Sequence, residues 1–145
     1  MNDELIKQWM SSDWIRRKSL DKEKVKSMIE SSITNMNVVK TIPLSEKSAI
    51  LIFRETYESI RQLGDAKWWL YGYEPRNHEV SMEILKEMNI KEKTKLNHLS
   101  RFKKVRNDAN YRGFKVTELQ AKEIILFWNK SGLEIIELIK QELKL

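Results

Sequence analysis

Ile52-Phe-Arg-Glu-Thr-Tyr-Glu-Ser-Ile-Arg-Gln-Leu-Gly-Asp-Ala-Lys-Trp-Trp-Leu-Tyr-Gly-Tyr-Glu-Pro75 decides the fold of this chain. Ile52, Phe53, Thr56, Ile60, Leu63 and Lys67 recur at helical spacing, so they share one face of a long helix. Trp68, Trp69, Leu70 and Tyr71 are apolar nearly all round, as a helix end buried on several sides requires. Gly72-Tyr-Glu-Pro75 breaks the pattern, because glycine can leave the helical region and proline cannot continue it. Upstream, Ser45 is placed to cap this helix, which is predicted to run from there to Tyr71.

Working outward, Asp21 caps a preceding helix with the stripe Val25, Met28, Ile29, Ser32, Met36 and Val39, closed by Pro43. Leu5, Ile6 and Trp9 predict a short first helix ending near Ser11–Asp13. Residues 1–20 read as an N-terminal arm or extra helix, with Trp9 and Trp14 placed to dock across the bundle or a partner. Toward the C-terminus, Asn77 caps a helix opened by His78 and carrying Val80, Ile84, Leu85 and Met88. Lys91 to Tyr111 reads as the next helix, with Leu96, Leu99, Phe102, Val105 and Ala109 on one face. Arg112-Gly113 ends it. Thr117-Glu-Leu-Gln120 is a capping box, and a last helix follows with Ala121, Ile125, Trp128, Gly132, Ile135 and Ile139. No strand is read. The expectation is an all-α, up-and-down helical bundle of five to six helices, forming one domain over residues 1–145.

Composition narrows the chemistry. The 145 residues hold four glycines and two prolines, too few for the turns of a β-sandwich or for a Gly-rich phosphate loop. With no cysteine, disulfides, thiolate metal sites and cysteine nucleophiles are excluded. Two histidines without His-x-x-x-His spacing point to no metal, and no cofactor is expected. No apolar run has the length of a membrane span, and the start of the chain does not read as a signal peptide, so a cytoplasmic protein without membrane contact is expected.

The net charge of +6 is concentrated. Lys91, Lys93, Lys95, Arg101, Lys103, Lys104, Arg106, Arg112 and Lys115 face only Glu92 and Asp108 within residues 91–116. An uncompensated run of this kind suits a polyanion, with a phosphate backbone the obvious candidate. Arg106 stands about 40° from Phe102 on a helical wheel, at the edge of the apolar stripe, with Asn110 beside it. A guanidinium there needs a partner: either a phosphate, or an acid such as Glu55, Glu58 or Asp65 on the long helix. His98 flanks Phe102 on the other side and either lines the same groove or packs. The Trp68, Trp69, Tyr71 and Tyr73 cluster suits packing more than base stacking. Together with Gly64 and Gly132, which reduce helix stability unless a close helix approach offsets them, this cluster leads to the expectation of a homodimer.

Two stretches carry a resemblance. Tyr57 to Glu79, with its Gly72-Tyr73 break and His78 opening the next helix, resembles the HEPN domain family, as does Phe102-Lys-Lys-Val-Arg-Asn-Asp-Ala-Asn-Tyr-Arg-Gly113. In the second, Arg106 and Asn107 match the start of that family's Arg-x(4–6)-His motif. The resemblance extends from about Ser45 to the C-terminus. It implies a dimerising helical bundle, often a metal-independent endoribonuclease toxin paired with a nucleotidyltransferase antitoxin. There, Arg stabilises phosphate charge and His transfers a proton as the ribose 2′-hydroxyl attacks. Here Tyr111 stands where the His is usual, and a tyrosine is a poor general base at neutral pH.

The reading that follows is RNA or nucleotide binding in a groove formed by Arg106, Asn107, Asn110 and Tyr111, with Lys103, Lys104 and Arg112 contributing charge. Arg106 and Tyr111 are the candidate catalytic pair; His78, His98 and Asp65 are supporting candidates. The rival reading is a non-catalytic interaction subunit paired with a nucleotidyltransferase-type protein. A helix-turn-helix DNA binder is disfavoured, since no short-turn helix pair precedes residues 91–111.

Overall fold

A computed structural model describes residues 1–144. Its elements are α1 (Asp3–Ser11), β1 (Ile15–Arg17), α2 (Lys22–Val39), α3 (Ala49–Tyr71), β2 (Tyr73–Pro75), α4 (His78–Leu85), α5 (His98–Arg112), α6 (Glu118–Phe127) and α7 (Leu133–Leu143). A 3-10 turn, Lys93–Asn97, leads into α5, and a π turn, Trp128–Gly132, joins α6 to α7 in one rod. The molecule is an all-α helical bundle with one small β-ribbon.

Local sequence accounts for most helix ends. Asp21, Asn77 and Thr117 each accept a backbone amide through the side chain, and Thr117 with Gln120 completes the capping box. Gly72 and Gly113 close α3 and α5 in the left-handed conformation, at φ 95° and 70°. Ser45 anchors α3 one turn ahead of its regular start: its Oγ accepts the Ser48 amide at 3.1 Å and its carbonyl the Ala49 amide at 3.0 Å.

The central helix is α3, packed against α2, α4, α5, α6 and α7. Ile52, Phe53, Thr56, Ile60 and Leu63 are all buried, as their spacing predicts. Lys67 lies on the same side but reaches outward to pair with Glu142 of α7 at 2.6 Å. Gly64 is where α4 crosses: a Cβ there would stand 1.8 Å from the Ser81 carbonyl oxygen. Gly132 faces the ring of Trp128, one turn back in its own rod. The close approaches that these glycines imply are therefore made inside one chain.

Three expectations are corrected. The chain does contain strands: Ile15–Arg17 pairs antiparallel with Tyr73–Pro75, Ile15 opposite Pro75 and Arg17 opposite Tyr73. Each is three residues, too short for alternation to register, and the pairing is non-local. The 91–111 helix is not continuous. Ile90 and Leu96 are both buried, yet six α-helical residues would set them about 120° apart; the chain instead stays non-helical through Glu92 and enters the 3-10 turn only at Lys93. The last helix is interrupted because the π turn inserts an extra residue at Trp128–Gly132, which moves the buried face from Ala121 and Ile124 to Ile135, Ile136 and Ile139.

The N-terminal arm forms a second core. Ile6, Trp9 and Ile15 pack with Trp68, Tyr73, Val80 and Ile84. Trp9 meets Trp68 edge to face at 5.8 Å, and Trp68 Nε1 donates to the Val80 carbonyl at 2.7 Å. Trp68, Trp69 and Tyr73 are thus covered without a second copy, and only Tyr71 of that cluster is exposed.

Candidate functional site

A band of polar side chains follows the line where α5 and the start of α4 lie against α3. On α3, positions 54, 57, 58, 61 and 65 share one face by helical spacing. Arg61, itself largely buried, bridges Glu58 and Asp65, the latter at 2.9 Å. Asp65 also accepts the Ser81 hydroxyl of α4 at 2.5 Å. Burial raises the Asp65 carboxyl above its usual range, against the Ser81 hydrogen bond and the charges of Arg61 and His78. For Arg61, burial alone would lower the pKa; the Glu58 hydrogen bond and the Asp65 charge reverse that and hold it raised.

Arg106 enters this band from α5, half-buried, with its guanidinium 5.6 Å from the centre of the Tyr57 ring. It donates to Asn107 Oδ1 at 3.2 Å. Among the described residues it forms no ion pair. The three acids that sequence offered it are engaged elsewhere: Glu58 and Asp65 with Arg61, Glu55 with Asn35 at 3.2 Å. Burial pushes the Tyr57 hydroxyl up to about 12, against the pull of Arg106 and with the push of Glu79. A half-buried guanidinium over an aromatic face, free of acids, is equipped to take a phosphate.

The remaining candidates divide. Asn107 is half-buried beside Arg106, while Asn110 accepts Arg54 Nε at 2.7 Å and so ties α5 to α3. Lys103 is paired with Glu79 of α4, which separates it from Lys104, exposed and among the described residues without a carboxylate. Arg112 is 3.9 Å from Asp108 and 5.5 Å from the Phe114 ring. Glu79 and Glu123, outside the basic stretch, pair with Lys103 and Arg101, so its charge is partly offset in three dimensions.

Tyr111 is 76% exposed, and α5 stays helical to Arg112, so Arg106 and Tyr111 diverge by about 140° on one chain. A single chain does not bring that pair together. Tyr111 instead falls on the side of Lys104, seven residues back and only about 20° round the helix. With Phe114, 54% exposed, and Arg112 it makes an aromatic and basic corner at the end of α5. His78 is exposed at the start of α4, near enough for its charge to act on Asp65. His98 leaves the band: it lies about 12 Å along the helix axis from Arg106, where Arg101 contacts its Nδ1 at 3.1 Å. Sequence reasoning passed over Tyr57, Arg61 and Phe114; for Arg61, acids at i−3 and i+4 were the available signal. Among the described residues no cluster of three or more acids or histidines could hold a metal ion, and no helix is long and apolar enough to cross a membrane.

Compared with known proteins, the chain matches no family model, no curated protein and no solved structure.

Proposed function

We propose that this chain is a HEPN-like RNA-binding protein that takes single-stranded RNA, or a nucleotide, along α5. The observation that carries the reading is the outward face of α5: Lys104 and Tyr111 side by side, with Arg112 and Phe114 at its end. Cations follow a phosphate backbone and exposed aromatic rings stack on bases regardless of sequence. Arg106, half-buried and unpaired, adds a second phosphate contact at the edge of the same helix. Binding is favoured over efficient cleavage, because Tyr111 replaces the motif His and points away from Arg106. Any cleavage is metal-independent, with Arg106 stabilising phosphate charge; joining Tyr111 to it needs a second copy. The test is fluorescence anisotropy of a labelled oligouridine at low and moderate salt. Affinity is expected to fall steeply with salt, and Lys104→Glu with Tyr111→Ala to weaken it by about tenfold or more at an unchanged melting temperature. Oligouridine that leaves the anisotropy unmoved at low salt, or a double variant that binds as tightly as the parent, sinks the reading.

The rival, a non-catalytic subunit held by a nucleotidyltransferase-type protein or by a second copy, is favoured by one feature. Leu119 and Leu126, seven residues apart on α6 and so on one face of it, are both exposed. Apolar side chains spaced this way suit another helix.

A further inference from the structure

A cavity of about 310 Å³ opens between the start of α5 and the π turn. Its floor is the buried pair Phe102 and Phe127, edge to face at 5.5 Å, with the His98 ring 6.1 Å from Phe102. Three acids stand at its rim: Glu123 holds Arg101, Glu134 accepts the Lys91 backbone amide at 2.7 Å, and Glu92 lies 3.9 Å from Lys95. Among the described residues the ammonium groups of Lys91 and Lys130 pair with no carboxylate.

Ser131 singles this cavity out. It is only 6% exposed and lines the cavity, where its hydroxyl still reaches solvent and, among the described residues, makes no hydrogen bond. Among the buried hydroxyls of the other helices, Thr56 donates to the Ile52 carbonyl at 2.7 Å, Ser59 to Glu55 at 3.0 Å, Ser32 to Ile29 at 2.7 Å and Ser81 to Asp65. Ser131 sits in the π turn, and its hydroxyl is available to donate into the cavity it lines.

We propose that this cavity binds a small planar aromatic molecule bearing one anionic group. The ring lies against Phe102, Phe127 and His98, the anion is held by Lys130 and Lys91, and the Ser131 hydroxyl donates to an acceptor on the ligand. The volume is at the lower end of small-molecule sites, enough for one or two fused rings and a charged substituent. An aromatic carboxylic acid and a nucleoside monophosphate share this chemistry. The site is separate from the outward face of α5 and does not rest on RNA binding there.

The test is titration of the isotope-labelled chain with 2-naphthoate, its neutral analogue 2-naphthalenemethanol, and AMP, followed by amide chemical shifts. The expected result is saturable 2-naphthoate shifts confined to residues 91–102 and 123–134, with the neutral analogue weaker by about tenfold. Lys130→Glu, on an exposed side chain, should weaken 2-naphthoate by about tenfold, and Ser131→Ala by a few-fold, with circular dichroism unchanged. AMP binding more tightly than 2-naphthoate assigns the anion to a nucleotide; the reverse assigns it to an aromatic acid. The proposal is overturned by unmoved amides at about 5 mM 2-naphthoate, by shifts centred elsewhere, by equal affinity for the neutral analogue, or by indifference to Lys130→Glu.

Discussion

Two arginines, Arg61 on α3 and Arg106 on α5, illustrate how partners set a side chain's role. Arg61 holds two carboxylates in a largely buried position, so Arg61→Ala leaves Asp65 uncompensated and is expected to cost about 3 kcal/mol in urea denaturation. Arg106 holds none. Arg106→Ala loses an aromatic contact and should cost about 1 kcal/mol or less, while oligouridine affinity falls. A larger stability loss at Arg106 than at Arg61 would contradict the assignment. Asp65 adds a pH dependence. Its folded pKa is raised above 3.8, so across the interval from 3.8 up to that value the folded chain binds more protons than the unfolded one. Stability contributed by this group is present below 3.8 and lost as pH rises through the folded value. Urea midpoints across that interval should therefore decline less steeply with rising pH in Asp65→Asn than in the parent, and an equal or steeper decline would refute the sign.

At the scale of elements, the α3–α4 crossing is the most constrained contact. A methyl at Gly64 would overlap the Ser81 carbonyl, so Gly64→Ala must push the helices apart and is expected to cost about 3 kcal/mol or prevent folding, read by circular dichroism and urea. A variant as stable as the parent would mean that α4 does not lie where it is described. What sequence discloses at this scale is whatever is encoded within a turn or two: the caps at Asp21, Asn77 and Thr117, the glycine stops at Gly72 and Gly113, and the α3 stripe. The β-ribbon escapes because Ile15 finds Pro75 only across two intervening helices. The π turn escapes because a one-residue insertion looks like an ordinary drift of the 3.6 period. The candidate site was half legible for the same reason: Arg106 stands out by its place beside Phe102, but Glu79 meeting Lys103 and Tyr57 under Arg106 depend on how α5 lies against α3 and α4.

For the whole molecule, dimerisation now has a different basis from the one its glycines and tryptophans suggested, since both are satisfied within the chain. What is left to offer a second copy is the exposed pair Leu119 and Leu126 on α6. Sedimentation equilibrium is expected to give twice 17.4 kDa, and Leu119→Glu with Leu126→Glu to return the single mass; 17.4 kDa for the parent at tens of micromolar removes the dimer. The second core carries a different consequence, for the order in which the chain can be completed. Ile6, Trp9 and Ile15 are translated before the residues that cover them, Trp68, Tyr73, Val80 and Ile84, which follow 53 to 78 residues later. At ribosomal speeds of roughly 5–20 residues per second, the arm stays uncovered for about 3–16 s, while α2 is already complete. The arm is thus covered later than it is made, and in that interval it offers a chaperone more apolar surface to hold than the finished bundle does.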